Sequence, residues 1–379
     1  MTTATKERKR TKSADSVTVT RAALHAALAH VGGAVPGRSP KPVLSNVLLD
    51  GGTLTATDLE LRISTPLAGS DGLTLLLPYQ RLSSIVNSLH PTVTVTITLD
   101  GTTAVIESSG STWRLPVEDH NEFPRADQVE PKWIAHLPAD QFLALIGAVR
   151  FATDNESSRY ALGGVLVTFK GGMLTMVATD GRRMCVSEVE VDQATDDASV
   201  IVPRGAIDSL CRMAKAGQLV QLGYAGNQLV AEVDEHRVYA VLVQGAFPRW
   251  KDAEPTRTVT PSLVIVGSLL SACRQAAICE SEASRGVTFA FTKEGLHLAS
   301  RSAEAGEASV TCDLVEAGKE CSVKLDPAFV TEWLNCGSFD LAETIEVEAE
   351  DAASAVVLRA QDSRCVIMPL AKDCWSDYR

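Results

Sequence analysis

The sequence has no run of 18 or more apolar residues, so no helical membrane span is expected. It also lacks the apolar stretch of a secretory leader. Residues 1–16 are polar and basic, with Lys6, Arg8, Lys9, Arg10 and Lys12, and read as an arm that either touches nucleic acid or is a plain solvated tail. Neither GxxxxGK[ST] nor a strand-linked GxGxxG occurs, which argues against a nucleotide-hydrolysing or dinucleotide-binding enzyme. There is no cysteine before Cys185. The nine that follow (Cys185, Cys211, Cys273, Cys279, Cys312, Cys321, Cys336, Cys365 and Cys374) are odd in number and contain no CxxC pair. That pattern speaks against a zinc site or a disulfide framework and for small buried thiols in a reducing, cytoplasmic setting. No cofactor is expected. The seven histidines are scattered, and only His120, beside Glu118 and Asp119, forms a local cluster; it precedes Phe123-Pro124 in a loop and is too little for an active site. Positive charge is not in excess either: the net charge is −12, so any contact with nucleic acid needs a local basic surface on an acidic body.

What is present is a soluble globular composition, 45% apolar and 22% charged over 379 residues, enough for two or three domains. The order of its elements repeats. Leu24, Ala27, Leu28 and Val31 fall at i, i+3, i+4 and i+7, as do Phe142, Leu145, Ile146 and Val149, and Val266, Leu269, Leu270 and Cys273. Each set predicts one buried stripe on an amphipathic helix. A strand-like stretch follows each helix: Val43 to Leu49, Ala161 to Phe169, Gly286 to Phe291. Turns at Gly51-Gly52, Gly171-Gly172 and Glu294-Gly295 lead to further strands in which Thr57, Thr179 and Ser300 stand 122 and 121 residues apart.

A third strand then enters a second helix marked by Pro78, Pro203 or Pro327, since proline suits a first helical turn. Leu82, Ile85, Val86 and Leu89 continue the helical spacing in the first copy, Ile207, Leu210 and Cys211 in the second, and Val330, Trp333 and Leu334 in the third. Alternating segments such as Val93 to Thr98 and Ile345 to Ala349 close each copy as strands. Phe123-Pro124, Phe247-Pro248 and Met368-Pro369 mark the three ends, 124 and 121 residues apart. The fold class is therefore α+β: three repeated units of about 120 residues, each in the order α-β-β-β-α-β-β-β with two helices packed on antiparallel sheet. The expected boundaries are an arm at 1–16, domains at 17–128, 129–256 and 257–370, and a tail at 371–379.

On that frame, Val177-Ala-Thr-Asp-Gly-Arg-Arg-Met184 resembles the signature of the bacterial DNA polymerase III beta subunit, the sliding clamp. Pro42-Val-Leu-Ser-Asn-Val-Leu48, Ala56-Thr-Asp-Leu-Glu60, Arg159-Tyr160 with Leu162, and Val366-Ile-Met-Pro-Leu370 are similar to the same family, and the likeness runs from about Val17 to Leu370. The resemblance implies a non-catalytic homodimeric ring of six domains that encircles duplex DNA without regard to sequence. Such a ring tethers DNA polymerase III, other polymerases and repair proteins, and is opened and closed by a clamp loader.

Residue by residue, the resemblance implies a partner-peptide pocket at Leu162, Thr179, Gly181, Arg182, Arg183, Met184, Pro248, Phe329, Val366, Ile367, Met368, Pro369 and Leu370. The chemistry suits it: an apolar floor for Leu or Phe anchors, adaptable methionines, and arginine donors at the rim. Core packing is the plainer reading of the apolar members, and both readings hold together. For Thr179-Asp180-Gly181 the plain reading is a strand-ending turn, with Asp180 bonding local backbone and Gly181 at positive φ. Candidate DNA contacts are Arg38, Arg81, Arg150, Arg159, Arg204, Arg212 and Lys215; Arg21, His25 and Arg274 lie on the same polar helix sides, among the acids Asp140, Asp208 and Glu332. Ordinary solvated helix faces are the alternative. The ring-closing contact maps to Trp113 and Leu115 on one side and Ile278 and Cys279 on the other.

The sequence also departs from the family pattern. Ser284 stands where many relatives carry an aromatic, and Asp252 and Ala253 replace a basic-then-aliphatic pair. The chain continues past Leu370 into a tail with Trp375 and Tyr378. That tail either reshapes the pocket or is a frayed terminus. A clamp-derived paralogue with altered partner choice is the competing function.

Overall fold

The computed structural model describes residues 16–125, 130–154, 160–191, 197–255, 259–280, 286–336 and 339–370. Arg159, Ser284, the arm before Ser16 and the tail after Leu370 lie outside the described residues.

Among the described residues, six α-helices fall where the apolar spacing puts them: α1 (Arg21–Val31), α2 (Tyr79–Ser88), α3 (Ala139–Gly147), α4 (Arg204–Met213), α5 (Val266–Ala276) and α6 (Pro327–Cys336). All four members of each first-helix stripe are buried, with Val149 just past the end of α3. Residues three and four apart share a helix face, so one stripe is enough to seat each helix. Each Leu, Ile or Phe so buried contributes about 2 kcal/mol. In the second helices Leu82, Ile85, Val86, Ile207, Leu210, Val330, Trp333 and Leu334 are buried, while Leu89 and Cys211 are half-buried. Pro78 and Pro203 end the strands Leu75–Pro78 and Ala198–Pro203 and sit one residue before their helices with extended backbone. Pro327 is the first residue of α6.

The repeat is richer in strands than its sequence suggests, running β-α-β-β-β-β-α-β-β-β. The leading strands Ser16–Thr20, Lys132–Pro138 and Ser262–Ile265 are short and run straight into helices, so their period of two merges with the helical pattern. The strands Leu61–Pro66, Arg183–Glu190 and Gly306–Cys312 also escaped the sequence pattern. Two of the expected strands start late, because Pro42–Ser45 and Tyr160–Gly163 form 3-10 turns ahead of Asn46–Asp50 and Gly164–Lys170.

The chain divides into two compact units. The first joins residues up to Pro131 with the hairpin Gln228–Val241. In it, Ser16–Thr20, Thr94–Asp100, Thr103–Ser108 and Ser111–Pro116 form an antiparallel sheet in that order. A second run orders Leu75–Pro78, Asn46–Asp50, Thr53–Thr57, Leu61–Pro66, His236–Val241 and Gln228–Val233, again antiparallel.

The second unit holds Lys132–Asn227 and the chain from Leu242 onward. Its largest sheet orders Ala198–Pro203, Gly164–Lys170, Met173–Thr179, Arg183–Glu190, Ser363–Ile367, Val356–Ala360, Thr344–Glu348 and Ser262–Ile265. At its centre Arg183–Glu190, from the second repeat, pairs with Ser363–Ile367, from the third. A four-stranded sheet orders Gly306–Cys312, Leu296–Ser302, Val287–Phe291 and Cys321–Leu325.

Candidate functional site

The site is built on the turn that joins Met173–Thr179 to Arg183–Glu190. The Thr179 hydroxyl donates to the Arg183 carbonyl at 2.6 Å and accepts from the Gly181 N–H at 3.1 Å. Asp180 Oδ1 accepts from the N–H groups of Arg182 and Arg183, both at 2.9 Å. Gly181 sits at φ +85°, where a side chain would be strained. The turn therefore has its own hydrogen bonds and holds Arg182 and Met184 in set directions. Across the repeat junction Met184 pairs with Val366, and the Met368 N–H donates to the Arg182 carbonyl at 2.9 Å.

These elements surround a cavity of about 340 Å³. Nine of the thirteen residues assigned to the pocket from sequence line it: Leu162, Thr179, Gly181, Arg182, Arg183, Met184, Pro248, Val366 and Met368. Arg249, Trp250 and Ala253 complete the wall. The floor is apolar and continuous with the core, since Met184 and Val366 belong to a buried cluster with Leu166, Val177, Val186, Ile201 and Val357. Met368 is 49% exposed at the mouth, an apolar side chain left open to solvent.

Four assigned residues stand elsewhere. Ile367 is fully buried and pairs with Arg183. Phe329, on α6, lies under the Arg183 guanidinium at 4.5 Å. Pro369 and Leu370 leave the cavity, and the Leu370 N–H donates to the Lys324 carbonyl at 2.8 Å. Trp250 is the aromatic the sequence reading missed. It sits two residues beyond Pro248, opens the 3-10 turn Trp250–Ala253 and stacks near Arg364, 5.9 Å away. The only hint in the sequence was the Phe-Pro turn immediately before it.

The two arginines of the signature do different things. Arg182 is exposed at the rim. Arg183 is 8% exposed and lies beneath it. Its Nε meets Asp180 Oδ2 at 3.1 Å, its Nη1 meets Glu332 Oε2 at 2.5 Å, and its Nη2 donates to the Phe151 carbonyl at 3.2 Å. Phe151 and Phe329 flank the guanidinium at 5.0 and 4.5 Å. Burial opposes its charge, but the carboxylates of Glu332 and Asp180 outweigh burial and hold its pKa above the usual arginine value. Arg183 thus ties the second repeat to α6 of the third and leaves few donors for a ligand. Behind the wall, Arg364 is held by Glu188 at 2.8 Å and Glu254 at 2.5 Å.

The other assigned residues scatter over both units. In the first, Arg38 is exposed in the loop before Pro42, and Arg81 is exposed on α2. In the second, Arg150 and Arg204 share Asp208, at 3.2 and 3.6 Å, which lowers the positive charge they present. Arg212, at the end of α4, and Lys215 just beyond it are exposed. Trp113 is half-buried and Leu115 buried on the strand Ser111–Pro116. Ile278 is 74% exposed, and Cys279 is half-buried, on the 3-10 turn Ala277–Cys279, which packs beside Gly306–Cys312. Asp119, beside His120, caps the turn His120–Glu122 by accepting from the Asn121 N–H; that bond lowers its pKa.

The described helices include none long and apolar enough to cross a membrane. Two family models match the chain: the DNA polymerase III beta subunit N-terminal domain over residues 16–127 and its central domain over residues 136–249. Together they cover more than half of the sequence. The beta sliding clamp of Escherichia coli K12 is 29% identical, the match covering 93% of this chain and 99% of that protein. The beta sliding clamp of Haemophilus influenzae is 27% identical over 90% and 96%. Among solved structures, a Pseudomonas aeruginosa sliding clamp bound to griselimycin superposes with a TM-score of 0.88 at 25% identity, covering 94% of this chain and all of that one. A Bacillus subtilis sliding clamp superposes at 0.86 with 20% identity over 95% and 100%. With two domain models in register along the repeats and relatives matched end to end, the chain belongs to the bacterial DNA polymerase III beta subunits, the non-catalytic sliding-clamp family.

Proposed function

We propose that the chain is a sliding clamp that closes as a homodimeric ring around duplex DNA and tethers replicative polymerase and repair proteins as a processivity factor. One observation carries the ring: the pairing rule between repeats leaves two strands over. The last strand of the second repeat, His236–Val241, pairs with Leu61–Pro66 of the first. The last strand of the third, Ser363–Ile367, pairs with the corresponding Arg183–Glu190 of the second. By the same rule Ser111–Pro116 and Gly306–Cys312, each at the end of its sheet, want each other. A second copy related by a two-fold axis satisfies both at once. Trp113 and Leu115 belong to one of these strands and Ile278 and Cys279 flank the other. Exposed edges of this kind invite pairing.

In this reading the domains run 17–128, 129–256 and 257–370, and the ring works in the cytoplasm, loaded by a partner that supplies the energy. Arg38, Arg81, Arg150, Arg204, Arg212 and Lys215 supply weak phosphate contacts without base readout, as sliding requires. The cavity floored by Met184 and Val366 takes the Leu or Phe anchors of partner peptides.

The test is topological. Loaded on closed circular DNA, the protein is expected to stay bound as salt rises and to leave once the circle is cut. Equal loss from both forms would mark an ordinary electrostatic binder and reject the ring. A second reading, a clamp paralogue with altered partners, is favoured by the cavity wall itself. There Ala253 lines the cavity and Asp252 pairs with Arg249 at 3.3 Å, at the two positions where the family resemblance implies a basic-then-aliphatic pair.

A further inference from the structure

The strand Ala198–Pro203 is the last of its sheet. It pairs with Gly164–Lys170 on one side. On the other side, among the described residues, only its C-terminal half is covered, where the Val243 N–H donates to the Ile201 carbonyl at 2.9 Å. In a strand, one residue's N–H and C=O point to the same side, and alternate residues point to opposite sides. Ser199, two before Ile201, therefore turns both groups to the open side, and it is exposed. Edge strands are normally blunted by Lys, Pro or a bulge. Ala198-Ser199-Val200 carries no such residue, and the strand's one proline stands at its far end.

Beside this edge lies a cavity of about 400 Å³ walled by Leu166, Val200, Leu242, Phe247 and Pro248 among others. Pro248 lines both this cavity and the one floored by Met184. Leu166, Ile201, Val243 and Phe247 pack into the same apolar cluster as Met184 and Val366. The two cavities are thus successive depressions over one apolar base.

We propose that this edge is a second subsite for partner peptides: a chain anchored at the Met184 cavity passes Pro248 and adds as an extended strand along Ser199, placing an apolar side chain in the second cavity. The proposal rests on the reading of the first cavity as a peptide site. Strand addition draws on main-chain hydrogen bonds for affinity and on the pocket for selectivity. The occupant is therefore an extended segment with an apolar residue among short polar ones.

The test uses the full chain and three fluorescent peptides: a six-residue peptide with Leu and Phe anchors, and two twelve-residue peptides extending it at either end with alternating Thr and Val. One extended peptide is expected to bind about tenfold more tightly than the short one. Ser199→Pro, tolerated where the N–H faces away from the ladder, is expected to abolish that gain and leave the short peptide's affinity unchanged. Ser199→Ala keeps the backbone donor and should keep the gain. The proposal is overturned if neither extension tightens binding, or if the gain survives Ser199→Pro. Failure of the short peptide to bind at all, or its indifference to Met184→Glu, would remove the first-cavity reading and this one with it. Loss of self-association in Ser199→Pro, with no change for the extended peptides, would assign the edge to a second copy and overturn the proposal.

Discussion

The turn at Thr57–Arg62 in the first unit and the turn at Thr179–Met184 in the second are the same device put to different ends. Thr57 donates to the Leu61 carbonyl at 3.0 Å, and Asp58 Oδ1 accepts from the N–H groups of Glu60 and Leu61 at 2.9 and 2.6 Å, matching Thr179 and Asp180 bond for bond. What differs is what stands on the scaffold. Arg62 occupies the position of Met184, and its guanidinium reaches the Pro124 carbonyl, while Tyr239 faces it across the sheet where Val366 faces Met184. Burial pushes the Arg62 pKa down from its usual value. Leu61 occupies the position of Arg183. One junction sets an arginine opposite a tyrosine across the strands. The other keeps an apolar floor open and buries its arginine beneath it. Backbone chemistry is shared by the repeats, and the site arises from two or three side chains exchanged on it.

The largest expected effect lies at the open junction. Met184→Glu puts a carboxylate on the apolar floor, and partner-peptide affinity by fluorescence anisotropy should fall at least about 100-fold. Unchanged affinity would mean the cavity is only core. Next is Arg183→Ala, which leaves Asp180 and a half-exposed Glu332 without their shared cation. Buried pairs broken this way cost about 3–5 kcal/mol, and the exposure of Glu332 brings the expectation to about 2 kcal/mol in denaturant unfolding. Arg183→Lys should recover little of it, since an ammonium cannot serve three acceptors in one plane. A loss below 0.5 kcal/mol, on the scale of an ordinary surface pair, would show that the junction does not depend on Arg183.

Arg62→Met gives the first junction the floor residue of the second. It should cost about 1 kcal/mol, for a partly solvated hydrogen bond, yet create no second site, because Tyr239 and not a valine still faces that position across the strands. Titration calorimetry should give one peptide per chain, and two would show that Arg62 alone closes the first junction. The smallest effect belongs to Leu59, which holds φ +84° where the second turn has Gly181. Leu59→Gly relieves about 1 kcal/mol of strain but adds about as much unfolded-chain entropy, so stability should move by less than about 1 kcal/mol. A larger loss would mean that Leu59, 48% exposed, has a packing role beyond the turn.

Much of this was legible in the sequence where the signal was local. The helices announced themselves because Leu24, Phe142 or Val266 needs only its neighbours three and four residues away to define a face. The Thr-Asp-Gly turn could be read because all its hydrogen bonds lie within five residues. The leading strands were hidden because four to seven residues cannot separate a period of two from the helix that follows. Trp250 and Arg249 were missed because their place in the wall depends on how Phe247-Pro248 folds back onto Met184.

By itself the sequence determined the threefold repeat, the two helices per copy and the turn chemistry, since each follows from spacing and backbone preference over a few residues. Only the tertiary structure decided that Arg183 points inward and Arg182 outward, that Val366 completes the floor under Met184, and that Arg62 reaches the Pro124 carbonyl at the matching place in the first unit. Those outcomes depend on strands far apart in sequence meeting in register, such as Met184 opposite Val366. A one-residue slip in that register would have turned every one of these side chains to the other face.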